Sequence, residues 1–257
     1  MQETWIPTER KAKLKAFVYG AQHKTALIVC HGFTGNSSGI FFPELSKQLS
    51  KDYLVCRFDF AGQGKSEGLF YDTSITSELN DLDSVVRYIK DQYSPQKVVL
   101  IGHSFGAAIA SLYAQDHQID GLVLLSGEGD LEKAMDYEFS TKQREEFATK
   151  GETKVVNWSK DGKEELLGKK FLEDMTQYST IVAATKLKCP SLLIHGDQDK
   201  EIPPSASEEI YAAIPSKKTL KIIHSADHVY NFFSDKPLIE EVTRELQSWL
   251  MQLSNEK

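Results

Sequence analysis

Short apolar runs that are continuous, rather than alternating with polar residues, set the tightest limit on how this chain folds. Two clear examples are residues 26–30, Ala-Leu-Ile-Val-Cys, and residues 98–101, Val-Val-Leu-Ile. An alternating strand leaves one face to water, whereas a continuous apolar run of this length is typical of a strand buried on both faces. Such strands need helices on both sides of their sheet. We therefore predict an α/β protein with a mostly parallel, doubly covered sheet.

Seven runs predict strands, and helical patterns separate most of them. The predicted strands are residues 14–19, 25–30, 53–58, 97–101, 122–125, 191–194 and 219–223. Two segments carry apolar residues at helical spacing, which indicates helices with one buried face. These residues are Ile75, Leu79, Leu82, Val86 and Ile89 in one segment, and Ile239, Val242, Leu246 and Trp249 in the other. No helix separates the first two strands, so we predict that they pair as an antiparallel hairpin at one edge of the sheet.

One segment interrupts this alternation of strands and helices. Residues 127–188 lie between two predicted strands, and they far exceed the roughly two to six residues of an ordinary βα loop. The segment is rich in Lys and Glu and includes the aromatic residues Tyr137, Phe139, Phe147 and Trp158. We predict that it forms a small, partly helical cap, inserted after the sixth core strand, and that residues 1–126 and 189–257 form the core. The alternative is a solvated excursion that covers nothing.

Composition and charge argue against several classes of function. The chain has 30 Lys and Arg residues against 37 Asp and Glu, which gives a net charge of −7. Nucleic-acid binders usually carry a basic surface that neutralises phosphates, so we predict no nucleic-acid partner. The amino terminus has no apolar segment typical of a secretory signal, and no apolar stretch reaches the ~18 residues of a membrane span. We expect a soluble, cytoplasmic protein; a homodimer is compatible with the sequence, which carries no signal for one.

The cysteines and histidines do not form a metal-binding pattern. Cys30, Cys56 and Cys189 stand singly, and an odd number without Cys-x-x-Cys spacing is not typical of disulfides or zinc sites. His224 and His228 have the i, i+4 spacing of a helical zinc site, but the accompanying glutamate is absent and no helix is predicted there. We predict free thiols, no metal and no cofactor.

Residues 102–106, Gly-His-Ser-Phe-Gly, form the strongest motif of the chain. They follow a predicted strand and precede the helix-forming segment 107–114. A G-x-S-x-G pattern in a strand-to-helix turn is typical of a nucleophile elbow. Its glycines permit a strained serine backbone and a close approach of strand and helix. Ser104 Oγ is then expected above the sheet, in front of a helix N-terminus that favours negative charge. The alternative is a glycine-rich turn with a capping serine.

A serine nucleophile needs a histidine base, and the histidine needs a carboxylate partner. After a nucleophile elbow the expected chain order is Ser, then the acid, then His. Two histidines, His224 and His228, follow the last predicted strand. His228 lies in a loop before the final helix, whereas His224 adjoins the strand end. We therefore favour His228 as the base.

Three aspartates are candidates for the acid. Asp197 and Asp199 follow a buried strand, at the carboxyl edge where open α/β sheets place their functional residues. Spacing alone does not separate these two. Asp227 precedes His228, but side chains of adjacent loop residues usually diverge, which makes it the weakest candidate.

An oxyanion hole requires two amide donors. The residue after the nucleophile, Phe105, is expected to supply one backbone N–H. The loop of residues 31–35, His-Gly-Phe-Thr-Gly, follows an early strand and offers the other, with the Phe33 amide as the best candidate. Such donors lower the barrier by ~3 kcal/mol each when they are aimed at the oxyanion. A tight turn with a structural histidine is the alternative interpretation of this loop, and the two are compatible.

Five motifs together resemble the α/β-hydrolase superfamily over nearly the whole chain. They are residues 31–35, 59–66, 102–106, 196–199 and 226–228. Within that superfamily the chain is similar to cinnamoyl (feruloyl) esterases and to monoacylglycerol-lipase-like hydrolases. The family pattern G-x-x-D-x-x-x-P implies Asp199 as the acid, and the pattern G/S-A-x-H implies His228 as the base. The resemblance implies an architectural turn at residues 59–66 and a cap at the insertion.

The resemblance and the candidate residues together predict a serine hydrolase that cleaves carboxylic esters of small molecules through an acyl-enzyme. A carboxylesterase is expected, and a hydroxycinnamoyl (feruloyl) esterase is one form of it. Aromatic residues of the cap are expected to line the substrate pocket: Tyr137, Phe139 and Trp158. The alternatives are a monoacylglycerol-lipase-like enzyme, a thioesterase, and a receptor that binds a ligand on the same fold without turnover.

Overall fold

Eight strands form one sheet in the computed structural model, which describes residues 1–255 apart from the side chains of Tyr137 and Asn255. The strands of the chain are β1 Gln2–Pro7, β2 Lys13–Tyr19, β3 Thr25–Cys30, β4 Leu54–Phe58, β5 Lys97–His103, β6 Gly121–Leu125, β7 Glu152–Asn157, β8 Lys163–Gly168, β9 Ser191–Gly196 and β10 Lys218–Ile223. The order across the sheet is β1-β2-β4-β3-β5-β6-β9-β10. Strands β3, β4, β5, β6, β9 and β10 pair in parallel, whereas β2 runs antiparallel to both β1 and β4.

All seven predicted strands are present, but the predicted pairing of the first two is wrong. Strand β2 does not pair with β3; it pairs with β1 and β4, with Ala16 opposite Phe58. Strand β4 occupies the place beside β3 that a hairpin partner would need, because the crossover through helix α1 (Phe42–Leu49) returns the chain next to β3. Strand β1 was not predicted, because its sequence is largely polar and buries only Ile6 completely.

Helices cover both faces of the sheet. After α1, the helices are α2 Ile75–Tyr93, α3 Phe105–Ala114, α4 Leu131–Glu138, α5 Thr141–Lys150, α6 Lys170–Gln177, α7 Thr180–Ala184, α8 Ser205–Ala213 and α9 Ile239–Asn255. Successive residues of β3 enter different cores: Ile28 packs with α2 and α3, and Leu27 packs with α1 and α9. Continuous apolar strands are explained by this burial on both sides.

The two helical faces predicted from spacing are buried. Leu82 and Ile89 of α2 enter one core, and Val242 and Leu246 of α9 enter the other. Helix α2 begins with a capping box, in which the Ser74 side chain accepts from an amide three residues on, an arrangement that satisfies N–H groups left free at a helix start. None of the helices in the described part of the chain has the length and apolarity needed to cross a membrane.

The insertion, residues 127–188, contains helices α4 to α7 and a separate hairpin of β7 and β8. Helices α4 and α6 contact each other, whereas α7 packs against α3 and α8, which cover the sheet. The division of the chain into a core and a cap stays a prediction. The parallel strands β3, β5, β6, β9 and β10 all point the same way, so the loops that follow them meet at one edge of the sheet.

Candidate active site

Ser104 lies in the tight turn between β5 and α3. Its backbone has φ 56° and ψ −127°, a conformation that non-glycine residues adopt only at a cost and that clusters at functional sites. The Ser104 amide donates to the Leu125 carbonyl at 2.9 Å, which ties the turn to β6. A Cβ at Gly102 would lie 2.3 Å from the Gly106 carbonyl oxygen, and one at Gly106 would lie 2.4 Å from the His31 oxygen. Close packing therefore requires both glycines of the motif.

The loop after β3 passes directly beside Ser104. A Cβ at Gly32 would lie 3.0 Å from Ser104 Cβ. The buried His31 ring shapes this loop, because Nδ1 donates to the Gly32 carbonyl at 2.8 Å and Nε2 accepts from the Phe60 amide at 3.1 Å. Burial lowers the pKa of His31, in keeping with a neutral ring that donates once and accepts once.

The two candidate oxyanion donors are the amides of Phe33 and Phe105. Within residues 1–255, no protein acceptor takes either of these N–H groups. The Phe33 ring packs 6.0 Å from that of Phe105 and 4.6 Å from that of Phe171 on the insertion. Two amides on either side of the Ser104 turn are thus held by packed aromatic side chains and remain without protein acceptors.

His228 and Asp199 form a buried pair. His228 Nδ1 donates to Asp199 Oδ2 at 2.8 Å. The other oxygen, Oδ1, accepts from the amides of Glu201 and Ile202, each at 2.9 Å, and His195 Nε2 lies 3.1 Å from Oδ2. Burial alone would raise the pKa of Asp199, but the hydrogen bonds from His195 and His228 outweigh it and hold that pKa well below its usual range. The Asp199 carboxylate stays ionised and fixes the orientation of the imidazole.

His103, inside the Gly-His-Ser-Phe-Gly motif, supports His228 from beneath. Its Nε2–H donates to the His228 carbonyl at 3.0 Å, and the two ring centroids are 4.9 Å apart. Burial, reinforced by the nearby His228, lowers the pKa of His103 to about 3, so this ring is neutral. The sequence assigned no role to His103, and its position beside the serine was the available signal.

Ser104 and His228 line the same cavity, whose volume is about 630 Å³. No hydrogen bond joins the two side chains in the described part of the chain; catalytic hydrogen bonds are often long in ligand-free proteins and tighten when substrate binds. Two acidic residues that sequence reasoning missed, Glu138 and Glu201, also line the cavity, and the lining described includes no Lys or Arg. His228 Nε2 lies 3.8 Å from Glu201 Oε2.

The electrostatic surroundings of His228 favour its charged form. Burial by itself lowers the pKa of His228. The hydrogen bond to Asp199 and the negative charges of Asp199, Glu201 and Glu138 act in the other direction and raise the pKa above its ordinary value. The imidazole is therefore a stronger base than a free histidine side chain.

The structure describes the side chains of two of the three predicted pocket residues, and they occupy different places. Trp158 lines the cavity, and its side chain is largely exposed. Phe139 does not line it; this side chain is buried and packs 6.2 Å from the Phe33 ring and 5.4 Å from the Phe147 ring, one layer behind the wall. The Tyr137 side chain lies outside the described part of the structure. Phe233, which the sequence did not single out, lines the cavity with Trp158.

The remaining acid and base candidates lie in other contacts. Asp197 pairs with His224 at 2.9 Å on the surface and accepts from the Ser225 amide at 2.7 Å. Asp227 accepts from the amides of Val229 and Asn231 at 3.0 and 2.6 Å, and so caps the turn that follows it. Asp199 is the aspartate that the fold brings to His228.

The sheet, the elbow and these loops define the class of protein. A family model described as the alpha/beta hydrolase fold matches residues 25–154, half of the chain, and the chain belongs to this family. Est1E from Butyrivibrio proteoclasticus, solved with ferulic acid bound, has a TM-score of 0.84 with 23% sequence identity, covering 98% of this chain and 100% of that one. This likeness establishes the fold, and it agrees with the resemblance to esterases found in the sequence.

The sequence relatives are mostly longer than this chain. The uncharacterized protein YfhR of Escherichia coli (strain K12) is 28% identical over 214 residues, covering 82% of this chain and 64% of that protein. Lysophosphatidylserine lipase ABHD12 of Danio rerio is 24% identical over 205 residues, covering 76% of this chain and 48% of that protein. The chain thus spans about half to two thirds of the length of these relatives. The family, with its esterase and lipase neighbours, supports hydrolase activity.

Proposed function

We propose that the protein is a serine hydrolase that cleaves carboxylic esters through an acyl-enzyme. His228 Nε2 takes the proton of Ser104 as Oγ attacks the ester carbonyl, and Asp199 stabilises the imidazolium that results. The amides of Phe33 and Phe105 hold the tetrahedral oxyanion. Collapse of the intermediate breaks the ester bond, and the alcohol leaves with the proton from His228. Water, activated by the same histidine, then attacks the acyl-enzyme, releases the acid and regenerates Ser104.

One observation carries this proposal: a serine on a strained elbow opens into the same cavity as a histidine whose Nδ1 is held by a buried, ionised aspartate. A glycine-rich turn with a capping serine accounts for neither the His228–Asp199 pair nor the free amides. In particular, the Ser104 side chain makes no capping hydrogen bond to α3. The Ser104 side chain does not cap its helix, and Ser104 lines the cavity. Both observations fit a nucleophile.

The cavity supports neutral esters as the substrate class. Trp158 and Phe233 give it aromatic walls, and Glu138 and Glu201 give it negative charge without a described cationic lining residue. A phosphate or a second carboxylate on the substrate would face unfavourable charge there. Aryl esters such as hydroxycinnamates suit the aromatic walls, and Est1E, a structural neighbour, binds ferulic acid. A monoacylglycerol-like ester or a thioester also fits, whereas an anionic lysophospholipid fits less well.

The proposal is tested by comparing Ser104→Ala with a matched control, Ser205→Ala, at an exposed serine of α8. Turnover of p-nitrophenyl butyrate and methyl ferulate is measured alongside covalent labelling by a fluorophosphonate. We expect Ser104→Ala to lose both labelling and turnover while unfolding at the temperature of the unmodified protein, and Ser205→Ala to retain both. Retained turnover in Ser104→Ala contradicts the proposal. Labelling of the unmodified protein without hydrolysis of any ester identifies a ligand receptor on the same fold instead.

A further inference from the structure

The tip of the hairpin in the insertion is hydrogen-bonded to the loop that carries Phe33. We call residues 157–160, which run from the last residue of β7 into the turn before β8, the hairpin tip. The Ser159 amide donates to the Thr34 carbonyl at 2.6 Å, and the Gly64 amide donates to Ser159 Oγ at 3.0 Å. Lys160 Nζ donates to the Gly64 carbonyl at 2.5 Å. Three hydrogen bonds therefore connect two adjacent residues of the hairpin tip, Ser159 and Lys160, to two loops outside the insertion.

The hairpin tip is rigid for a reason internal to it. Asn157 is completely buried, and its Oδ1 accepts from both the amide and the hydroxyl of Ser159, at 3.0 and 2.6 Å. Asn157 Nδ2 donates to Glu165 Oε2 on β8 at 2.5 Å. A buried amide whose donor and acceptor are both used fixes the shape of a turn. Ser159 is thus presented to Thr34 in one orientation.

The core residue that Ser159 holds is itself in a costly conformation. Thr34 has φ 55°, in the left-handed region that a β-branched residue rarely adopts. Such a conformation persists only where the surroundings enforce it. Thr34 directly follows Phe33 in the chain, so a rotation of the Thr34 backbone that relieved this conformation would also loosen the segment that carries the Phe33 amide. The hydrogen bond from Ser159 opposes that rotation.

We propose that Ser159 is a positioning residue for the oxyanion hole, and that the insertion acts on the rate of reaction by holding the Phe33 amide in place. This inference rests on the proposed function, since it assigns the Phe33 amide to the oxyanion. Ser159 does not touch the substrate in this account; it acts through Thr34. The adjacent Trp158 lines the cavity and so contacts substrate. Two neighbouring residues of the hairpin tip therefore have separable effects, Trp158 on binding and Ser159 on the transition state.

Three variants of Ser159 test the inference, with Trp158→Ala as the matched control on the same tip. Ser159→Pro removes the N–H that binds both Thr34 and Asn157. Ser159→Ala removes the hydroxyl that links Asn157 and Gly64, and Ser159→Thr keeps that hydroxyl. The measurements are kcat and KM for a p-nitrophenyl ester, and the affinity for a boronic acid, which forms a tetrahedral adduct with an activated serine. The affinity for the product acid, which does not form a tetrahedral adduct, measures ground-state binding for comparison.

We expect Ser159→Pro to lower kcat by about 10- to 100-fold, approaching the loss of one oxyanion donor, with KM changed less than about threefold. Boronic acid affinity should fall in parallel with kcat, whereas product binding should not. Ser159→Ala is expected to show a smaller loss of kcat that Ser159→Thr restores, and Trp158→Ala is expected to raise KM chiefly.

Three outcomes would overturn the inference: normal kcat in Ser159→Pro and Ser159→Ala, a loss confined to KM, or unchanged boronic acid affinity. If Ser159→Pro fails to fold, Ser159→Ala and Ser159→Thr decide. Ser159→Ala keeps the N–H that binds Thr34 but removes the hydroxyl bonds to Asn157 and Gly64 that orient it, so normal kcat in Ser159→Ala would overturn the inference. The two proposals fail in different ways. Absence of turnover by the unmodified protein, or retained turnover in Ser104→Ala, rejects the proposed function, whereas normal rates in the Ser159 variants beside an inactive Ser104→Ala reject only the role of Ser159.

Discussion

Two histidine–aspartate pairs lie on the same two loops, and they differ in almost everything except their geometry. In each pair a histidine Nδ1 donates to an aspartate Oδ2, at 2.8 Å for His228 and Asp199 and at 2.9 Å for His224 and Asp197. The side chain of His224 is 90% exposed, whereas that of His228 is 8% exposed. The same interaction is thus made once in water and once in the protein interior.

The difference shows that a short histidine–aspartate distance does not by itself identify a catalytic pair. Asp199 has two further amide donors and a second, completely buried histidine around it. Asp197 has one further amide donor and the exposed side chain of Gln198. An exposed ion pair exchanges its partners with water and contributes little, whereas a buried carboxylate with fixed donors keeps its imidazole in one tautomer. Burial, together with a cavity shared with Ser104, distinguishes the pair that we propose to be catalytic.

The largest expected effect comes from removing one imidazole at a time. His228→Ala should lower kcat/KM for a neutral ester by about 10⁴-fold or more, because it removes the base that accepts the Ser104 proton. His224→Ala should leave kcat/KM within about twofold, because an exposed pair contributes little. Steady-state kinetics on p-nitrophenyl butyrate measures both. A comparable loss in the two variants would show that the exposed pair takes part in the reaction and that burial does not distinguish the two pairs.

Removing the carboxylate charge at each site should have the next largest effect. Asn at position 199 offers an amide where His228 Nδ1–H needs an acceptor, so the proton moves to Nε2 and the base faces Ser104 in the wrong tautomer. Asp199→Asn should therefore lower kcat by about 10³- to 10⁴-fold. Asp197→Asn is the isosteric control at the exposed pair and should keep kcat within about twofold. A small loss in Asp199→Asn would assign the orienting role to another group.

The parallel part of the fold and the edge where the site lies could be predicted from sequence, because both follow from local patterns. Continuous apolar runs indicate strands that are buried on two faces, and the glycines of the Ser104 turn indicate a close approach of strand and helix. The pairing of β2 could not be predicted, since it depends on which strand the α1 crossover places beside β3. Tertiary packing determines which strand lies beside β3, and no local sequence pattern indicates it.

Within the candidate site, sequence located the residues that occur in short motifs and missed those that arrive through tertiary contact. Spacing left Asp197 and Asp199 equivalent, and only the resemblance favoured Asp199; the fold separates them by burial. Glu138 reaches the cavity from the insertion, where nothing in the pattern of Lys and Glu distinguishes one carboxylate from another. Ser159 is missed for the same reason, because its contact with Thr34 joins residues 125 positions apart in the chain.

Asp199→Asn and Asp197→Asn should also differ in unfolding free energy, although by less than they differ in kcat. Asp199→Asn replaces the buried carboxylate that accepts from His228 Nδ1–H by a neutral amide, and the loss of this charge-assisted hydrogen bond should lower the unfolding free energy by about 1–3 kcal/mol. Asp197→Asn should leave urea unfolding unchanged. The pKa of Asp199 is lowered by folding, so its contribution is fully present above the ordinary aspartate pKa and is lost as the pH falls below it. The difference in unfolding free energy between the unmodified protein and Asp199→Asn should thus become smaller from pH 7 to pH 3. A difference that stays constant would show that the substitution acts through packing and not through charge.

The smallest expected effect concerns Glu201, whose carboxylate faces His228 and not His224. Catalysis needs a neutral His228, so kcat/KM should fall as the pH drops through the raised pKa of this histidine. Glu201→Gln removes one of the negative charges that raise that pKa, and the acid limb of the pH profile should move to lower pH. On that limb the variant should be faster than the unmodified protein by at most about fivefold, with equal rates above it.

The Glu201 side chain is 73% exposed, so added salt should shift the profile of the unmodified protein in the same direction as Glu201→Gln, by screening the same charge. Glu209→Gln, at an exposed position of α8, is the matched control and should leave the profile unchanged. The pH dependence of kcat/KM at low and high ionic strength measures all three. A limb that stays in place in Glu201→Gln would mean that the buried pair alone sets the basicity of His228; a limb that moves to higher pH would mean that Glu201 acts on the reaction by a route other than its charge.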